Sequence, residues 1–334
     1  MAQKSGDQDS GGQESGGQGE SENPTARGVV GGTFDKRLTP ARDDVAADWL
    51  EGRVTASAYV RGEDRQVTTP VLPIRRTPEP GGAQETQALF GEVFTVYDEA
   101  GGWAWGQARI DGYVGYVEAG GLSAPVEVPT HRVTALRSYR FPEPDLKSAP
   151  IGLLSMNAKL AVTGESEDGK WLSEARGGWV FGGHAAPLSR AAEDPVAVME
   201  AYLGAPYFWG GRESLGLDCS GIVQNGYEAA GLVPPRDADM QELWFSAPDR
   251  GETLWQTEEG GDWKAVPLRR GDLVYWAGHT GVMADGRRLL HANATSMAVT
   301  CDDLEGFADH LMAEKDNPVT RLVRPRPVRE MAAG

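Results

Sequence analysis

The chain has 334 residues, 40% of them hydrophobic and ten of them tryptophan, which is enough for about two or three packed domains. Its formal net charge is −17, and the acidic residues are spread along the sequence. Nucleic-acid-binding proteins gain affinity by neutralising phosphates, so this charge argues against that class and, more weakly, against attachment to anionic membranes. No apolar run approaches the length that spans a bilayer.

The N-terminal segment, residues 1–27, is polar and repeats Ser, Gly and Gln. Such a composition cannot bury enough apolar surface to offset the entropy of ordering, so a disordered tail is predicted. The segment also lacks the apolar stretch of a signal peptide, which predicts a cytoplasmic protein. The two cysteines, Cys219 and Cys301, are too few for a disulfide framework.

Residues 35–124 are predicted to form a small β-barrel with a short helical lead-in at residues 40–50. Alternating apolar and polar residues between Gly, Asp and Pro turns indicate half-buried strands. These strands are predicted at residues 54–60, 92–97, 103–109 and 113–117. The dipeptide Asp111-Gly112 is typical of a tight turn between two such strands.

Residues 125–190 are predicted to form a second small β-barrel. Its clearest strands are residues 131–136, 158–162 and 177–180. The same features follow one another, loosely, in both predicted barrels. They are a strand that ends in Arg and Pro, an acidic turn with Gly, a strand that contains Trp, and a Gly-rich segment at the end. This order suggests a duplicated unit.

Residues 191–330 are predicted to form an α+β domain, with helices first and a sheet after them. Asp194 and Pro195 are a typical N-cap and first-turn pair, and the apolar residues behind them recur at helical spacing. A second helix is predicted to begin near Cys219 and to end at Gly231. Consecutive strands are predicted at residues 273–276, 280–284 and 289–292.

Cys219 is the candidate nucleophile because of its place at the start of this second helix. A cysteine attacks as its thiolate, and the positive end of a helix dipole is expected to lower the thiol pKa. The free backbone N–H groups of the same turn can stabilise an oxyanion. Gly221 keeps that turn uncluttered.

Two histidines are the candidate partners of the thiol. His279 lies at the start of one predicted strand, and His291 lies twelve residues later in the next one. If the two strands pair antiparallel, the rings lie side by side. One imidazole can then accept the thiol proton while the other holds the first in place.

Other interpretations of these residues stay open on the pattern alone. A lone cysteine at a helix start, or a lone histidine in a strand, is often a packed structural residue. Cys219, His279 and His291 could also ligate zinc, although the short paired spacing of structural zinc sites is missing. The remaining candidates lack such a context and are assigned structural roles: Cys301, His131, His184 and His310.

Several segments together resemble NlpC/P60 cysteine peptidases. Residues 218–221 (Asp-Cys-Ser-Gly), followed by Gln224, Tyr227 and Gly231, are similar to the nucleophile motif of that family. Further similar segments, in the order found in the family, are residues 206–211, 270–276, 279–282 and 290–293. The resemblance covers residues 191–325 and implies a papain-like peptidase domain.

The front half resembles a known companion of that domain. Residues 87–92, Trp103 and residues 111–116 are similar to the first bacterial SH3-like domain of γ-D-glutamyl-L-diamino-acid endopeptidases of the dipeptidyl-peptidase VI type. Members commonly carry two such barrels, and they hydrolyse the bond between γ-D-Glu and diaminopimelate (or Lys) in murein peptides with a free N-terminal L-Ala. The resemblance implies murein-peptide recycling on small peptides, with no cofactor, no metal and no obligate protein partner.

The resemblance also implies catalytic roles for four residues. Cys219 attacks the scissile carbonyl, and His279 acts as general base and then as general acid. His291 holds the His279 ring. Tyr207 helps the backbone N–H of Cys219 to stabilise the oxyanion.

The substrate-binding residues that the resemblance implies are Asp218, Glu92, Tyr113, Ser220, Arg236 and Asp237. The first three are expected to bind the free α-amine, because charged acceptors reward a free peptide end and reject a capped one. Ala238 stands where the family often has Ser. Residues 244–263 form a loop-like insertion that is expected to shape a specificity wall.

Two other functions compete with that of a peptidase. The first is a wall-binding SH3-like protein whose peptidase domain is incidental, and the complete Cys-His-His set argues against it. The second is an amidase or acyltransferase on the same fold, and an amine pocket would have no use in an acyltransferase that acts on lipids.

Overall fold

The computed structural model describes residues 29–30 and 33–332, so the predicted disordered tail, residues 1–27, lies outside the described residues. The first elements are β1 (Val29–Val30), β2 (Thr33–Phe34), β3 (Val45–Ala47), the 3₁₀ helix Asp48–Leu50 and β4 (Ala58–Val60). Strands β1 and β2 pair antiparallel, whereas β3 and β4 pair parallel.

The helical lead-in predicted at residues 40–50 is wrong. Only Asp48–Leu50 is helical, as a single 3₁₀ turn. Strand β3 is buried and pairs with β4, and Ala46 and Leu50 belong to a small core of their own. A helix this short gains little from local hydrogen bonds, so strand pairing and burial decide the conformation.

A seven-stranded antiparallel sheet, here called the first sheet, comes next. Its strands are β5 (Glu63–Val67), β6 (Val71–Arg75), β7 (Gln84–Leu89), β8 (Val93–Ala100), β9 (Trp103–Ala108), β10 (Val114–Glu118) and β11 (Leu122–Ser123), with the 3₁₀ turn Ala119–Gly121 before β11. The strand order is β11-β5-β8-β9-β10-β6-β7, and Val67, Ile74 and Phe94 lie in its core.

The first sheet is open, which corrects the prediction of a closed barrel. Within the described chain its outer strands, β11 and β7, do not pair with each other. The edge strand β7 is covered by the last domain instead, since the Gln87 carbonyl accepts a hydrogen bond from Arg212 Nη1 at 2.9 Å. A covered edge needs no closure to satisfy its backbone groups.

Residues 131–187 form two smaller sheets, here called the second β unit. Its strands are β12 (His131–Val133), β13 (Arg137–Phe141), β14 (Gly152–Ser155), β15 (Lys159–Leu160), β16 (Val162–Glu165), β17 (Trp171–Glu174), β18 (Trp179–Phe181) and β19 (Ala185–Pro187), with the 3₁₀ turn Gly182–His184. The strand orders are β15-β12-β19 and β14-β13-β18-β17-β16. The predicted second closed barrel is therefore also corrected to open sheets.

The last domain is α+β, which confirms the predicted class. Its helices are α1 (Pro195–Glu200), α2 (Cys219–Ala229), α3 (Ala238–Phe245), α4 (Leu304–Lys315) and α5 (Val328–Met331). Its strands are β20 (Arg212–Glu213), β21 (Gly216–Leu217), β22 (Gly251–Gln256), β23 (Leu273–Trp276), β24 (His279–Met283), β25 (Arg288–Asn293), β26 (Ala298–Asp303) and β27 (Val319–Pro325), with 3₁₀ turns at Thr257–Glu259 and Trp263–Ala265.

Strands β22 to β27 form a six-stranded sheet in the order β22-β27-β23-β24-β25-β26. Alternate residues of β23 face opposite sides, as the pleat requires. Leu273 lies in the core that also holds Ile222 of α2, whereas Val274 lies in the core that holds Phe307 of α4. The sheet is thus covered by α2 on one face and by α4 on the other. Among the described residues, no helix combines the length and the apolar composition of a membrane span.

The insertion at residues 244–263 contains regular structure, which corrects its prediction as a loop. It includes strand β22, which pairs with β27 at the edge of the six-stranded sheet. Trp244 is buried, and Trp255 and Trp263 pack partly buried against core residues. These three side chains therefore serve packing.

A buried ion network joins the three parts of the chain. Arg212 of β20 lies between Glu92, which follows the first sheet's β7, and Glu228 of α2, at 3.1 and 3.0 Å. Glu228 also pairs with Lys159 of the second β unit at 2.5 Å. Since Arg212, Glu92 and Glu228 are almost fully buried, each charge depends on the others for compensation.

Candidate active site

Cys219 is the first residue of α2, and the local sequence explains why the helix begins there. Asp218 is the N-cap, and its Oδ1 accepts a hydrogen bond from the Gly221 N–H at 2.8 Å. A side chain at Gly221 would put a Cβ only 2.4 Å from the carbonyl oxygen of Gly211. The absence of a side chain at position 221 therefore lets the start of α2 pack against the preceding loop.

The Asp218 carboxylate is held rigidly by its neighbours. Arg236 donates to both of its oxygens, at 2.8 Å to Oδ1 and 2.7 Å to Oδ2, and the Gly210 N–H donates to Oδ2 at 2.8 Å. Arg236 itself is 1% exposed and also donates to Ser220 Oγ. Arg236 therefore positions Asp218 and Ser220 from behind the site, and it does not line the cleft as a substrate ligand.

His279 and His291 lie on neighbouring strands, β24 and β25, as the sequence predicts. Their Nε2 and Nδ1 atoms are 2.9 Å apart. Gly281 of β24 faces His291, and a Cβ there would lie 3.0 Å from His291 Cβ, so the glycine leaves room for the ring. Phe307 of α4 packs edge-on against His291, with ring centroids 4.3 Å apart. His291 is fully buried by these contacts.

The helix that carries the cysteine meets the strand that carries the histidine. Helix α2 packs against strand β24, and the backbone N–H of Thr280, the residue after His279, lies near enough to the Cys219 sulfur to act on the pKa of the thiol in the lowering direction. This contact brings Cys219 to the start of β24, where His279 lies half-buried. Because His279 Nε2 is engaged with His291, Nδ1 is the ring nitrogen left to take the thiol proton.

The charge state of the pair differs from the sequence prediction. Burial and, second, the nearby Asp218 carboxylate raise the pKa of the Cys219 thiol to about 12. Burial, with smaller contributions from His291 and Lys315, lowers the pKa of His279 to about 3. Burial thus outweighs the expected lowering of the thiol pKa by the helix N-terminus, and both shifts favour a neutral thiol beside a neutral imidazole.

Sequence reasoning missed the residues behind His291. Asp302 Oδ2 lies 3.0 Å from His291 Nε2, and Thr300 donates its hydroxyl to the same carboxylate oxygen at 2.6 Å. Both residues are on β26, where Thr300 pairs directly with His291. The alternation of Thr300 and Asp302 on one strand face is a signal that could have found them, once β25 and β26 are known to pair.

A cleft of about 420 Å³ opens beside Cys219, and two parts of the chain line it. Its wall residues are Arg37, Arg76, Glu85, Tyr113, Tyr207, Trp209, Asp218, Cys219, Ser220, Asp237, Ala238, Asp239 and Gly278. The structure thus brings together at the cleft five of the predicted site residues besides Cys219: Tyr207, Tyr113, Asp218, Ser220 and Asp237. Burial raises the pKa of Tyr207, with Cys219 and Asp218 adding to the effect, so its hydroxyl keeps its proton and can donate.

The acidic wall of the cleft is well defined. Tyr113 donates its hydroxyl to Asp237 Oδ2 at 3.2 Å, and Arg37 donates to the same oxygen at 2.8 Å. Glu85 pairs through Oε1 with the largely exposed Arg76. Four carboxylates and two guanidinium groups line the cleft, and Arg236 pairs with one of these carboxylates, Asp218, from behind, so an excess of one negative charge is left.

Glu92 does not belong to this wall, which corrects its prediction as an amine ligand. Its side chain is 2% exposed and is held by Arg212, and it also accepts from the Leu89 N–H. Glu85, which lies on β7 of the first sheet, is the carboxylate that reaches the cleft. None of residues 244–263 lines the cleft either, so the predicted specificity wall at that insertion is absent from this pocket.

Within the described residues, no three His, Cys, Asp or Glu side chains are grouped as metal ligands. Cys219 and Cys301 are both free thiols. The arrangement of Cys219, His279 and His291 is that of a nucleophile, a base and a group that orients the base.

Two segments match known sequence families. Residues 74–122 match the bacterial dipeptidyl-peptidase SH3 domain, and residues 204–314 match the NlpC/P60 family. The first match lies on the first sheet, and the second spans α2 and the strands that carry His279 and His291. The resemblance inferred from the motifs is therefore confirmed.

Curated relatives share part of this chain. A γ-D-glutamyl-L-lysine dipeptidyl-peptidase of Bacillus cereus is 27% identical over 220 residues, which is 59% of this chain and 61% of that protein. One of the same name from Bacillus subtilis is 28% identical over 244 residues, 64% of this chain and 74% of that protein. The match thus spans less than two thirds of the Bacillus cereus protein's length.

Solved structures share the fold. An NlpC/P60 family protein from Bacillus cereus aligns with a TM-score of 0.62 at 18% identity, covering 78% of this chain and 99% of that one. An NlpC/P60 endopeptidase from Photobacterium damselae aligns with a TM-score of 0.51 at 13% identity, covering 79% and 73%. At these identities the likeness concerns the fold alone.

Proposed function

We propose that this chain, which combines an NlpC/P60 domain with a bacterial SH3 domain, is a cysteine peptidase of murein peptides. It hydrolyses the bond between γ-D-Glu and diaminopimelate or Lys in peptides with a free N-terminal L-Ala. The observation that supports this role most directly is that Cys219 and Gly278, the residue before His279, line the same cleft, with α2 packed against the strand that begins at His279. Two relatives named γ-D-glutamyl-L-lysine dipeptidyl-peptidase support the choice of bond.

The proposed reaction is a two-step acyl transfer. As the Cys219 sulfur attacks the scissile carbonyl, its proton passes to His279 Nδ1, and the carbonyl becomes a tetrahedral oxyanion. The backbone N–H of Cys219 and the Tyr207 hydroxyl stabilise that oxyanion. Imidazolium then gives the proton to the leaving amine, the C–N bond breaks, and water releases the γ-glutamyl acid from the thioester with His279 as base again.

In this reaction the Cys219 thiol must lose its proton to His279 during the attack. Since the resting thiol and imidazole are both neutral, the thiolate forms during the attack and need not exist beforehand. The contact with His291 holds the His279 ring in place for this proton transfer. This places the catalytic demand on the orientation of the His279 ring.

We further propose that the free α-amine binds at the acidic wall, with Glu85 in the role predicted for Glu92. The ammonium would lie among Glu85, Asp237 and the Tyr113 hydroxyl, next to the charge of Asp218. An ammonium there offsets the excess of carboxylates, whereas an acetylated end would leave them uncompensated. Arg76 is 72% exposed, so it can leave Glu85 for solvent when the amine arrives.

We also propose that the protein acts in the cytoplasm on recycled peptides. A cleft with walls from two parts of the chain suits a short free peptide better than a crosslinked polymer. Cell fractionation would find the protein with the cytoplasmic marker; recovery with the wall or in the medium, together with release of material from intact peptidoglycan, would refute this part.

Mass-spectrometric product analysis tests the peptidase itself. The substrates are L-Ala-γ-D-Glu-diaminopimelate and its N-acetylated form, each with the wild type and with Cys219→Ala. The expected products are L-Ala-γ-D-Glu and free diaminopimelate, only from the free-amine peptide and only with Cys219. No cleavage of either peptide would refute the proposed function, and equal cleavage of both would refute the amine wall.

A further inference from the structure

We propose that Asp302 is a positioning residue that sets the tautomer of His279 through His291. The proposal rests on the proposed function, in which His279 Nδ1 takes the proton of Cys219. It assigns a role to a carboxylate that touches neither the sulfur nor the cleft, and it explains why His291 is backed by a polar group.

The direction of the hydrogen bonds can be followed from a fixed end. The backbone N–H of Ser296 donates to Asn293 Oδ1 at 2.8 Å, which fixes the amide so that Nδ2 is the donor. Asn293 Nδ2 donates to Thr300 Oγ1 at 2.7 Å. The Thr300 hydroxyl, having accepted that bond, donates its own proton to Asp302 Oδ2 at 2.6 Å.

Asp302 then determines the proton positions on both rings. A carboxylate only accepts, so the 3.0 Å contact requires a proton on His291 Nε2. In a neutral ring, His291 Nδ1 is then an acceptor, and the proton of the 2.9 Å contact comes from His279 Nε2. His279 Nδ1 is left with a free lone pair, which is the state a general base for Cys219 needs.

A second arrangement is available and would disable the base. Asn293 Nδ2 lies 3.3 Å from His291 Nε2, so it can donate to that atom if the ring nitrogen is unprotonated. His291 Nδ1 would then carry the proton and donate to His279 Nε2. The His279 proton would sit on Nδ1 and point at the thiol.

The carboxylate decides between the two arrangements. A hydrogen bond to a carboxylate is about twice as strong as one between neutral groups. The bond from His291 to Asp302 is also the shorter of the two competing contacts, 3.0 Å against 3.3 Å. Burial lowers the pKa of His291, which keeps the ring neutral and limited to these two tautomers. Phe307 packs edge-on against the ring and fixes its plane.

Two substitutions separate this role from a general structural one. Asp302→Leu removes the acceptor with a side chain of similar size, so Asn293 Nδ2, 3.3 Å away, becomes the partner of His291 Nε2. Asp302→Asn keeps an acceptor, because Oδ1 must face the Thr300 hydroxyl and therefore also faces His291. Asp309→Leu, at an exposed position of α4, is the control for a lost surface carboxylate.

The first readout is nitrogen NMR of histidine-labelled protein, which reports the proton on each ring nitrogen without any substrate. The chain has only five histidines, so the His279 signals can be assigned by comparison with a His279→Gln protein. The expected result is a proton on His279 Nε2 in the wild type, Asp302→Asn and Asp309→Leu, and on Nδ1 in Asp302→Leu. A proton on His279 Nδ1 in the wild type, or an unchanged tautomer in Asp302→Leu, would overturn the proposal.

The second readout is the rate of peptide cleavage. Asp302→Leu is expected to lower kcat by about 10- to 100-fold and to change KM by less than about twofold, as for other groups that orient a catalytic residue. Asp302→Asn is expected to retain most of the activity. Equal losses in both variants would overturn the tautomer role. If the wild type cleaves no peptide, the proposed function fails, and the NMR result still tests the tautomer of His279. If Asp302→Leu does not fold, a proton on His279 Nδ1 in the wild-type spectrum would still overturn the proposal.

Discussion

The first sheet and the second β unit precede the same α+β domain, yet they contact it in different ways. The first sheet contributes Glu85 and Tyr113 to the cleft beside Cys219. The second β unit contributes no described residue to that cleft, although Lys159 and Asn157 bond to Glu228 and Asn225 of α2. One region therefore forms a wall of the site, and the other supports the helix that carries the nucleophile.

The difference follows from which face of the α+β domain each region covers. Strand β7 runs beside β20, so its side chains meet the loop before α2 and the cleft. The second β unit meets α2 on its far side, at Asn225, Glu228 and Ala229. The two regions therefore differ in their position relative to α2. The first sheet lies where it can affect specificity, and the second β unit lies where it can affect stability.

The largest expected effect concerns the α+β domain alone, because neither β region is assigned a part in the charge state of Cys219. A thiol with a pKa of about 12 is protonated at neutral pH, so the thiolate fraction rises about tenfold for each pH unit. Alkylation of Cys219 by iodoacetamide should therefore accelerate about a thousandfold between pH 6 and pH 9.

Cys219→Ala protein is the control for this alkylation, since it corrects for labelling of the half-buried Cys301. A rate that stays constant between pH 6 and pH 8 would indicate a preformed thiolate–imidazolium pair. That outcome would contradict the neutral resting pair.

The second effect tests the first sheet as a wall. Glu85→Gln should lower kcat/KM for the free-amine peptide by about 10- to 100-fold, because the ammonium loses a charged acceptor in a partly desolvated cleft. Cleavage of the acetylated peptide should not fall with it. Glu99→Gln is the matched control, as Glu99 also pairs with an arginine on the first sheet but lies outside the cleft. Equal effects of the two substitutions would contradict the binding of the substrate's ammonium at Glu85.

The third effect tests the second β unit as a support. Lys159→Met removes one of the two cationic partners of the buried Glu228 and should lower the free energy of unfolding by about 1 to 2 kcal/mol. Lys170→Met, which removes an exposed pair with Asp168 on the same unit, should change it by less than about 0.5 kcal/mol. Urea unfolding followed by tryptophan fluorescence measures both. A change in the preference for free over acetylated peptide in Lys159→Met would show that the second unit also shapes the cleft.

The smallest effect is expected on the exposed face of the second β unit. Tyr139 is 52% exposed and contacts Phe141 at the surface. Tyr139→Ser should change kcat/KM for the free peptide by less than about twofold. A larger loss, measured in the same assay, would indicate that the second β unit takes part in substrate binding and would contradict its assignment as a support.

The grouping of the candidate catalytic residues could be predicted because their signals are local. Cys219 follows an N-cap at the start of a helix, and His279 and His291 lie on strands that are neighbours in both sequence and space. Such patterns depend on a few adjacent residues. The strand pairing that brings the two rings together needs only a short turn.

The substrate wall could not be predicted in the same way. Glu85 and Glu92 lie seven residues apart at the two ends of one strand and turn, and both are acidic. Which of them faces the cleft depends on Arg212, 120 residues from Glu92 in sequence. Asp302 was missed for a related reason, since its role appears only when β26 is placed beside β25.

The measurement that tests the composite cleft most directly is a crystal structure of Cys219→Ala bound to L-Ala-γ-D-Glu-diaminopimelate. We expect the peptide's ammonium to lie within hydrogen-bonding distance of Glu85 and Asp237, with the scissile carbonyl next to position 219 and Tyr207. An ammonium that contacts no residue of the first sheet, with the carbonyl still at position 219, would contradict this expectation.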